Sequence, residues 1–335
     1  MIDFRSDTVT QPCDAMRQTM NNAPLGDDVY GDDPSVNALE KYAAQKHGFA
    51  NALFCSSGTQ ANLLALMAHC ERGDEYICGQ RAHNYKFEGG GAAILGSIQP
   101  QPIENEADGS LCLNKVKAAI KADDFHFAKT KLVSLENTIG GQVLSLEYLN
   151  DARVFVDEHN LALHLDGARV YNAAAKLGVD ITCITNHFDS VSVCLSKGLG
   201  APVGSVLLGS ESLIAKARRW RKVLGGGMRQ AGMLAAAGQY ALEHNTKRLA
   251  DDHDNAQYLA TQLNTLSGFN VALSTVETNI VYAHVDNEID LTAISQRLAT
   301  QSILFSPGAP LRLVTHLGIT KESIDTFIKA LTAEI

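Results

Sequence analysis

From about residue 50 onward, short apolar runs alternate with longer amphipathic ones, and this alternation restricts the possible fold more than any other feature. Ala52–Cys55, Glu75–Cys78, Lys131–Leu135, Leu161–Leu165, Ser190–Leu195 and Ser205–Leu208 have the length and texture of buried strands. Helical patterns lie between several of them. In Gln60–Cys70, Ala61, Leu64, Ala65 and Ala68 fall on one stripe, and Leu146–His159 is a second case. Strand-helix alternation predicts an α/β fold with a mainly parallel, helix-covered sheet. Past Met228 the texture changes. A small-residue helix over Gln230–His244 leads through the polar stretch Asp251-Asp252-His253-Asp254-Asn255 into short strands around Val271 and Val281. A helix near Leu291–Ala299, a strand at Leu311–Thr315 and a last helix at Lys321–Ala333 follow. The expected division is an N-terminal segment with a large domain over 1–245 and a small α+β domain over 246–335.

Composition narrows the class of function. The chain has 335 residues, 45% hydrophobic and 19% charged, enough to bury one large core and support a smaller unit. Its net charge is -9 and no Lys/Arg block interrupts it, which argues against nucleic acid or an anionic membrane as partner. A small molecule is the better fit. Any anion bound here must be drawn by a local arrangement of donors. The seven cysteines show neither a C-x-x-C pair nor zinc-ligand spacing, so they read as reduced thiols and no metal site is expected. Charges in Met1-Ile2-Asp3-Phe4-Arg5 interrupt any secretory signal, and the expected location is the cytoplasm.

Three segments carry chemistry. Ser56-Ser57-Gly58-Thr59-Gln60-Ala61-Asn62 places glycine and hydroxyls at a helix start, where free N–H groups suit a phosphate, although a plain Ser/Thr cap explains the same residues. Leu163-His164-Leu165-Asp166-Gly167-Ala168-Arg169 ends a strand on a carboxylate that can hold a protonated ring nitrogen; a cap for the next helix is the competing reading. Leu195-Ser196-Lys197-Gly198-Leu199-Gly200 ends another apolar strand on a lysine, whereas most lysines are solvated surface residues. Each is weak alone. In this order they supply an anion site, a pyridinium partner and an imine-forming amine, the parts that pyridoxal phosphate (PLP) requires.

The chain resembles the L-threonine aldolases of the low-specificity bacterial type, in the fold type I PLP superfamily. The matching segments are Phe4-Arg5-Ser6-Asp7-Thr8-Val9-Thr10, Gly26-Asp27-Asp28-Val29-Tyr30-Gly31-Asp32-Asp33-Pro34, Ser57-Gly58-Thr59-Gln60-Ala61-Asn62, Ala82-His83-Asn84-Tyr85, Leu135-Glu136-Asn137-Thr138, Leu165-Asp166-Gly167-Ala168-Arg169, Ser196-Lys197-Gly198-Leu199-Gly200, Gly225-Gly226-Gly227-Met228-Arg229-Gln230 and Arg312-Leu313-Val314-Thr315-His316. The resemblance implies that Lys197 forms the Schiff base, Asp166 meets the pyridine nitrogen and His83 stacks on the ring. It assigns Gly58, Thr59 and Ser196 to the phosphate, joined by Lys222 and Arg229 of a neighbouring subunit. Ser6, Arg169 and Arg312 would grip the substrate carboxylate, Tyr30 would also touch substrate, and His83 with His126 would face its hydroxyl. It further implies a homo-oligomer, at least a dimer and in the family a tetramer, with shared active sites.

Two departures stand out. Ile139 occupies a position where the family often has His, and Ser56 one where it often has Pro. The implied reaction is retro-aldol cleavage of β-hydroxy-α-amino acids to glycine and an aldehyde. Another PLP lyase, a transaminase, a hydroxymethyltransferase or a non-catalytic PLP-binding protein would use the same scaffold.

Overall fold

The computed structural model describes residues 1–335. Seven strands form the main sheet: β1 (Asn51–Cys55), β2 (Asp74–Gly79), β3 (Gln99–Ile103), β4 (Lys129–Glu136), β5 (Ala162–Gly167), β6 (Ser190–Cys194) and β7 (Ser205–Gly209). Their spatial order is β1-β7-β6-β5-β4-β2-β3. Only β7 runs antiparallel to its neighbours; the other pairings are parallel. The mainly parallel sheet read from the sequence is therefore present.

Strand β3 escaped the sequence reading because Gln99-Pro100-Gln101-Pro102-Ile103 carries two prolines and little apolar character. Proline lacks the N–H a central ladder needs, so such a strand belongs at an edge, which is where β3 lies.

Helices cover both faces. Gly58–His69 is buried from Ala61 through Ala68, a run that is apolar except for Asn62. Pro34–His47, which the alternation did not reveal, begins with Asp33 capping the N–H groups of Ser35 and Val36 and stops at Gly48 in the left-handed region. Gly238 on helix Gly232–His244 allows that helix to sit directly against the strand leading to Lys197: a Cβ there would lie 2.7 Å from Leu195 Cδ1.

A second core of 21 buried residues is built mostly from residue 256 onward. It backs an antiparallel sheet of β8 (Phe269–Asn270), β9 (Ile280–Val285) and β10 (Leu311–Val314), with helices Leu249–Leu263, Leu291–Thr300 and Lys321–Thr332. The polar stretch Asp251–Asn255 is a correction: it does not lead out of a helix but lies inside Leu249–Leu263, where Asp251 and Asp252 occupy the favourable first turn. The N-terminal segment also joins this unit. Ile2–Asp3 pairs with Ile303–Leu304 and Phe4 is fully buried in the second core. We propose the domain division at 245/246 with residues 2–4 as a strap from the small unit.

Candidate active site

Ligands of open α/β sheets lie beyond the C-terminal strand ends. At that edge β1 leads into Ser57-Gly58-Thr59, β4 ends on Glu136, β5 reaches Asp166 and β6 leads to Lys197. Asp166 is buried at 3% exposure, so its charge must be met by fixed donors. Its Oδ2 accepts from Asn62 Nδ2 at 2.7 Å and its Oδ1 from the Ala168 N–H at 3.1 Å. Both hydrogen bonds that Lys197 makes run through its carbonyl, to Thr10 and Gly200, and its ammonium charge acts on Asp7, His83 and Glu136.

His83 opens a short helix, His83–Lys86, with its N–H donating to Glu136 Oε2 at 2.8 Å. Its Nδ1 lies 2.8 Å from Glu88 Oε1, which raises the imidazole pKa against the opposing effect of burial. Burial, with repulsion from Asp166, pushes the Glu136 carboxyl up to about 7. Burial likewise raises Glu88.

Arg169 does not stand free. Its Nε and one terminal nitrogen each donate at 2.7 Å to Asp7, a fully buried carboxylate that also accepts from Asn279 at 3.2 Å. Burial would raise the Asp7 pKa, but Arg169, Lys197 and Asn279 outweigh it and hold the value at about 2. Since that lies below the ordinary 3.8, the unfolded chain binds the proton more readily. The stabilisation, roughly 2 kcal/mol, is complete above the ordinary value and is lost as pH falls through the folded one. Asp7→Asn should therefore destabilise the protein most at neutral pH, and the gap to wild type should shrink below about pH 4, as denaturant midpoints would show. A gap independent of pH would mean that the pair carries no such charge coupling.

Arg312, on β10, spends one nitrogen on the Arg5 carbonyl at 3.1 Å and lines a cavity of about 840 Å³ with His83, Glu136, Arg169, Ile139 and Tyr282. Ser6 is committed locally, its hydroxyl capping the Thr8 N–H at 3.2 Å beside Asp7. Ile139, one of the two departures from the family pattern, places a buried apolar wall on the same cavity.

The donor set fits PLP. Ser57 caps its helix through the Gln60 N–H, and the first main-chain bond runs from Ala61 to Ser57, so Gly58 and Thr59 offer their N–H groups outward. The buried Ser205 Oγ has no partner and lies 3.6 Å from where a Cβ on Gly58 would stand. Ser196, beside Lys197, has only the Cys194 sulfur at 3.5 Å near its hydroxyl. His83, Glu88 and Asp166 also converge within 4.8 Å, a cluster that no spacing in the sequence suggested. Hydrogen bonds account for it: Asn62 donates to both carboxylates and Glu88 is bonded to His83.

Four of the residues implied by the resemblance lie elsewhere in the chain's own fold. His126 is exposed in a loop, paired with Asp124 at 2.6 Å between exposed Phe125 and Phe127. Tyr30 is 78% exposed with the Arg229 guanidinium 6.0 Å over its ring, and Arg229 pairs with Asp27 at 2.9 Å. Lys222 is exposed next to Gly227 on the same patch. Conversely, Asp7, Asn62, Glu88 and Glu136 belong to the site and had been assigned no role. The first, second and fourth stand inside the matching segments; Glu88, five residues after His83 and beyond the end of its short helix, carried no signal in the sequence.

A phosphate-type helix start, a buried carboxylate and a lysine on one sheet edge define a PLP-dependent enzyme of fold type I. A family model described as β-eliminating lyase matches residues 3–287. The low specificity L-threonine aldolase of Escherichia coli (strain K12) is 55% identical over 324 residues, covering 97% of this chain and 96% of that protein. Low-specificity L-threonine aldolase 1 of Arabidopsis thaliana is 44% identical, covering 96% and 93%. The chain belongs to the low-specificity L-threonine aldolase family, within the β-eliminating lyases. Among solved structures, Leishmania major threonine aldolase superposes with a TM-score of 0.83 at 21% identity, covering 99% of both chains. Alanine–glyoxylate aminotransferase from Nostoc sp. reaches 0.74 at 18% identity, covering 99% of this chain and 96% of that one, so the fold by itself does not select the reaction.

Proposed function

We propose that this chain cleaves L-threonine, L-allo-threonine and related β-hydroxy-α-amino acids to glycine and an aldehyde. The observation that carries the reading is the 55% identity running end to end through the site segments. When bound, PLP supplies an aldehyde carbon that condenses with amines and a ring that accepts the electron pair released at Cα. Gly58, Thr59 and Ser196 would hold its phosphate, Asp166 its ring nitrogen and His83 its face, with Lys197 at the aldehyde carbon.

The chain's own groups then have distinct tasks. Arg312 presents a guanidinium to the substrate carboxylate, and Arg169, held rigid by Asp7, supports it from the cavity wall. That grip decides which bond at Cα is presented for cleavage. His83 has Nδ1 committed to Glu88, so Nε2 is the atom left to take the β-hydroxyl proton, directly or through a water. The free oxygen of Glu136 can hold a proton near neutral pH on the same wall.

His83→Asn should slow cleavage by roughly 10²–10⁴ while the cofactor stays bound, as assays alongside visible spectra would show. Full activity would remove His83 from proton transfer. The reaction is tested by incubating the protein with PLP and each threonine diastereomer and measuring acetaldehyde. Formation of a keto acid, or a requirement for folate, would favour a transaminase or hydroxymethyltransferase instead.

The exposure of Tyr30, His126, Lys222 and Arg229 supports a homo-oligomer, at least a dimer and on the resemblance a tetramer, in which these residues complete a neighbour's site. A cytoplasmic location is supported by seven unpaired cysteines, two of them exposed. No helix is long and apolar enough to cross a membrane.

A further inference from the structure

Behind the cofactor edge lies a run of buried polar side chains whose hydrogen bonds admit one direction. Its centre is Asn62, in the second turn of helix Gly58–His69 and 1% exposed. The amide Nδ2 donates to Asp166 Oδ2 at 2.7 Å and to Glu88 Oε1 at 2.9 Å. Its Oδ1 faces Ser192 Oγ at 2.7 Å and His164 Nε2 at 3.3 Å. Two donors and two acceptor sites are the whole capacity of a carboxamide, and all four are used.

The carboxylates fix which way the amide points, because both need donors. Oδ1 therefore faces Ser192 and His164, and each must donate to it. Burial pushes His164 down to about 3, so its ring is neutral with the proton on Nε2. Its bare Nδ1 then accepts from Ser190 Oγ at 2.8 Å, and Ser190 Oγ accepts from His69 Nε2 at 2.8 Å. His69 is likewise pushed down to about 4 by burial and stays neutral. Every donor in the run from His69 to Asp166 points toward the carboxylate. No member is free to rotate without orphaning a buried group, which costs about 1–3 kcal/mol.

We propose that Asn62 is a positioning residue that ties Asp166 to the Glu88–His83 pair, one amide setting the orientation of both groups that face the cofactor ring. Ser192 and His164 lock that amide from behind. The arrangement keeps two donors on Asp166 and keeps His83 Nδ1 on Glu88, so the ring-nitrogen partner and the stacking histidine respond to each other through a single side chain. This rests on the assignment of Asp166 to the ring nitrogen made above.

The test uses holoenzyme loaded with PLP carrying ¹⁵N in the ring, whose resonance reports whether that nitrogen is protonated. Asn62→Leu, of similar size but unable to hydrogen-bond, should move the resonance toward the unprotonated position. It should also weaken cofactor retention by roughly 10-fold to 100-fold, the worth of one hydrogen bond to a charged group. Ser192→Ala, which removes a lock but leaves the amide, should move both readouts the same way by less. Should Asn62→Leu fail to fold by circular dichroism, Ser192→Ala decides. An unmoved resonance in the folded variant overturns the proposal, even if retention falls, because that is what merely loosened packing would give. Asp166→Asn separates the two levels: no change there would sink the assignment of Asp166 itself, whereas a change there with none in Asn62→Leu or Ser192→Ala would sink only the role of Asn62.

Discussion

Lys197→Ala will fold, melt close to wild type and lose both the visible absorbance of the lysine-bound cofactor and threonine cleavage. The fold does not depend on this side chain, since the hydrogen bonds to Thr10 and Gly200 use its carbonyl and survive the substitution. The chemistry does depend on it. Lys197 directly follows β6, the strand beside the one that ends on Asp166, whereas Lys86 on the cavity wall sits seven residues beyond the end of β2. Rates should fall by no less than about ten-thousandfold, the upper end of the range for removing one positioned proton-transfer group, because this residue serves as both nucleophile and proton carrier. Wild-type absorbance in the variant would refute the central assignment. Lost absorbance with retained cleavage would place the reaction on another group.

The strands that carry the site were legible in the sequence because strands covered on both faces read as apolar runs, whether paired in parallel like β5 with β6 or antiparallel at the edge like β1, and all three are buried along nearly their whole length. β3 was not, since an edge strand needs neither apolar faces nor every N–H. Helix Leu249–Leu263 was obscured at Asp251–Asn255 because the charges that favour a helix N-terminus look like a loop when the downstream apolar face is not weighed. In the site, residues that speak through chain-local chemistry were found: the glycine and hydroxyls of the phosphate-type loop, and the strand-end Asp166 and Lys197. Those that act through space were not. Asp7 gains meaning only from Arg169, 162 positions away, and Asn62 only from Asp166, 104 positions away. No periodicity or spacing encodes such pairs.

Mixing two inactive variants should restore about a quarter of wild-type activity if the sites are shared. Lys222 and Arg229 stand exposed around the turn Gly225-Gly226-Gly227, with Tyr30 beside Arg229, and none of the three lines the cavity of its own chain. Exposed cations on a chain of net charge -9 are well suited to an anion supplied by a neighbour. If the sites are shared, the double variant Lys222→Ala/Arg229→Ala would remove two charge-assisted contacts to the phosphate, which should weaken cofactor binding by roughly 10²–10⁴ and leave it inactive at PLP concentrations that saturate wild type. Lys197→Ala is inactive for the separate reason that it lacks the amine. In a hybrid dimer, one site would collect both defects and the other would draw an intact Lys197 from one subunit and intact Lys222 and Arg229 from its partner. Random mixing makes about half of the dimers hybrid with one working site in each, hence the expected quarter. If every site were built from a single chain, each site of a hybrid would still carry one defect and no activity would return. Absence of recovery after verified subunit exchange would therefore overturn the shared site, while leaving Lys197, Asp166 and the phosphate-type loop where the chain's own fold places them.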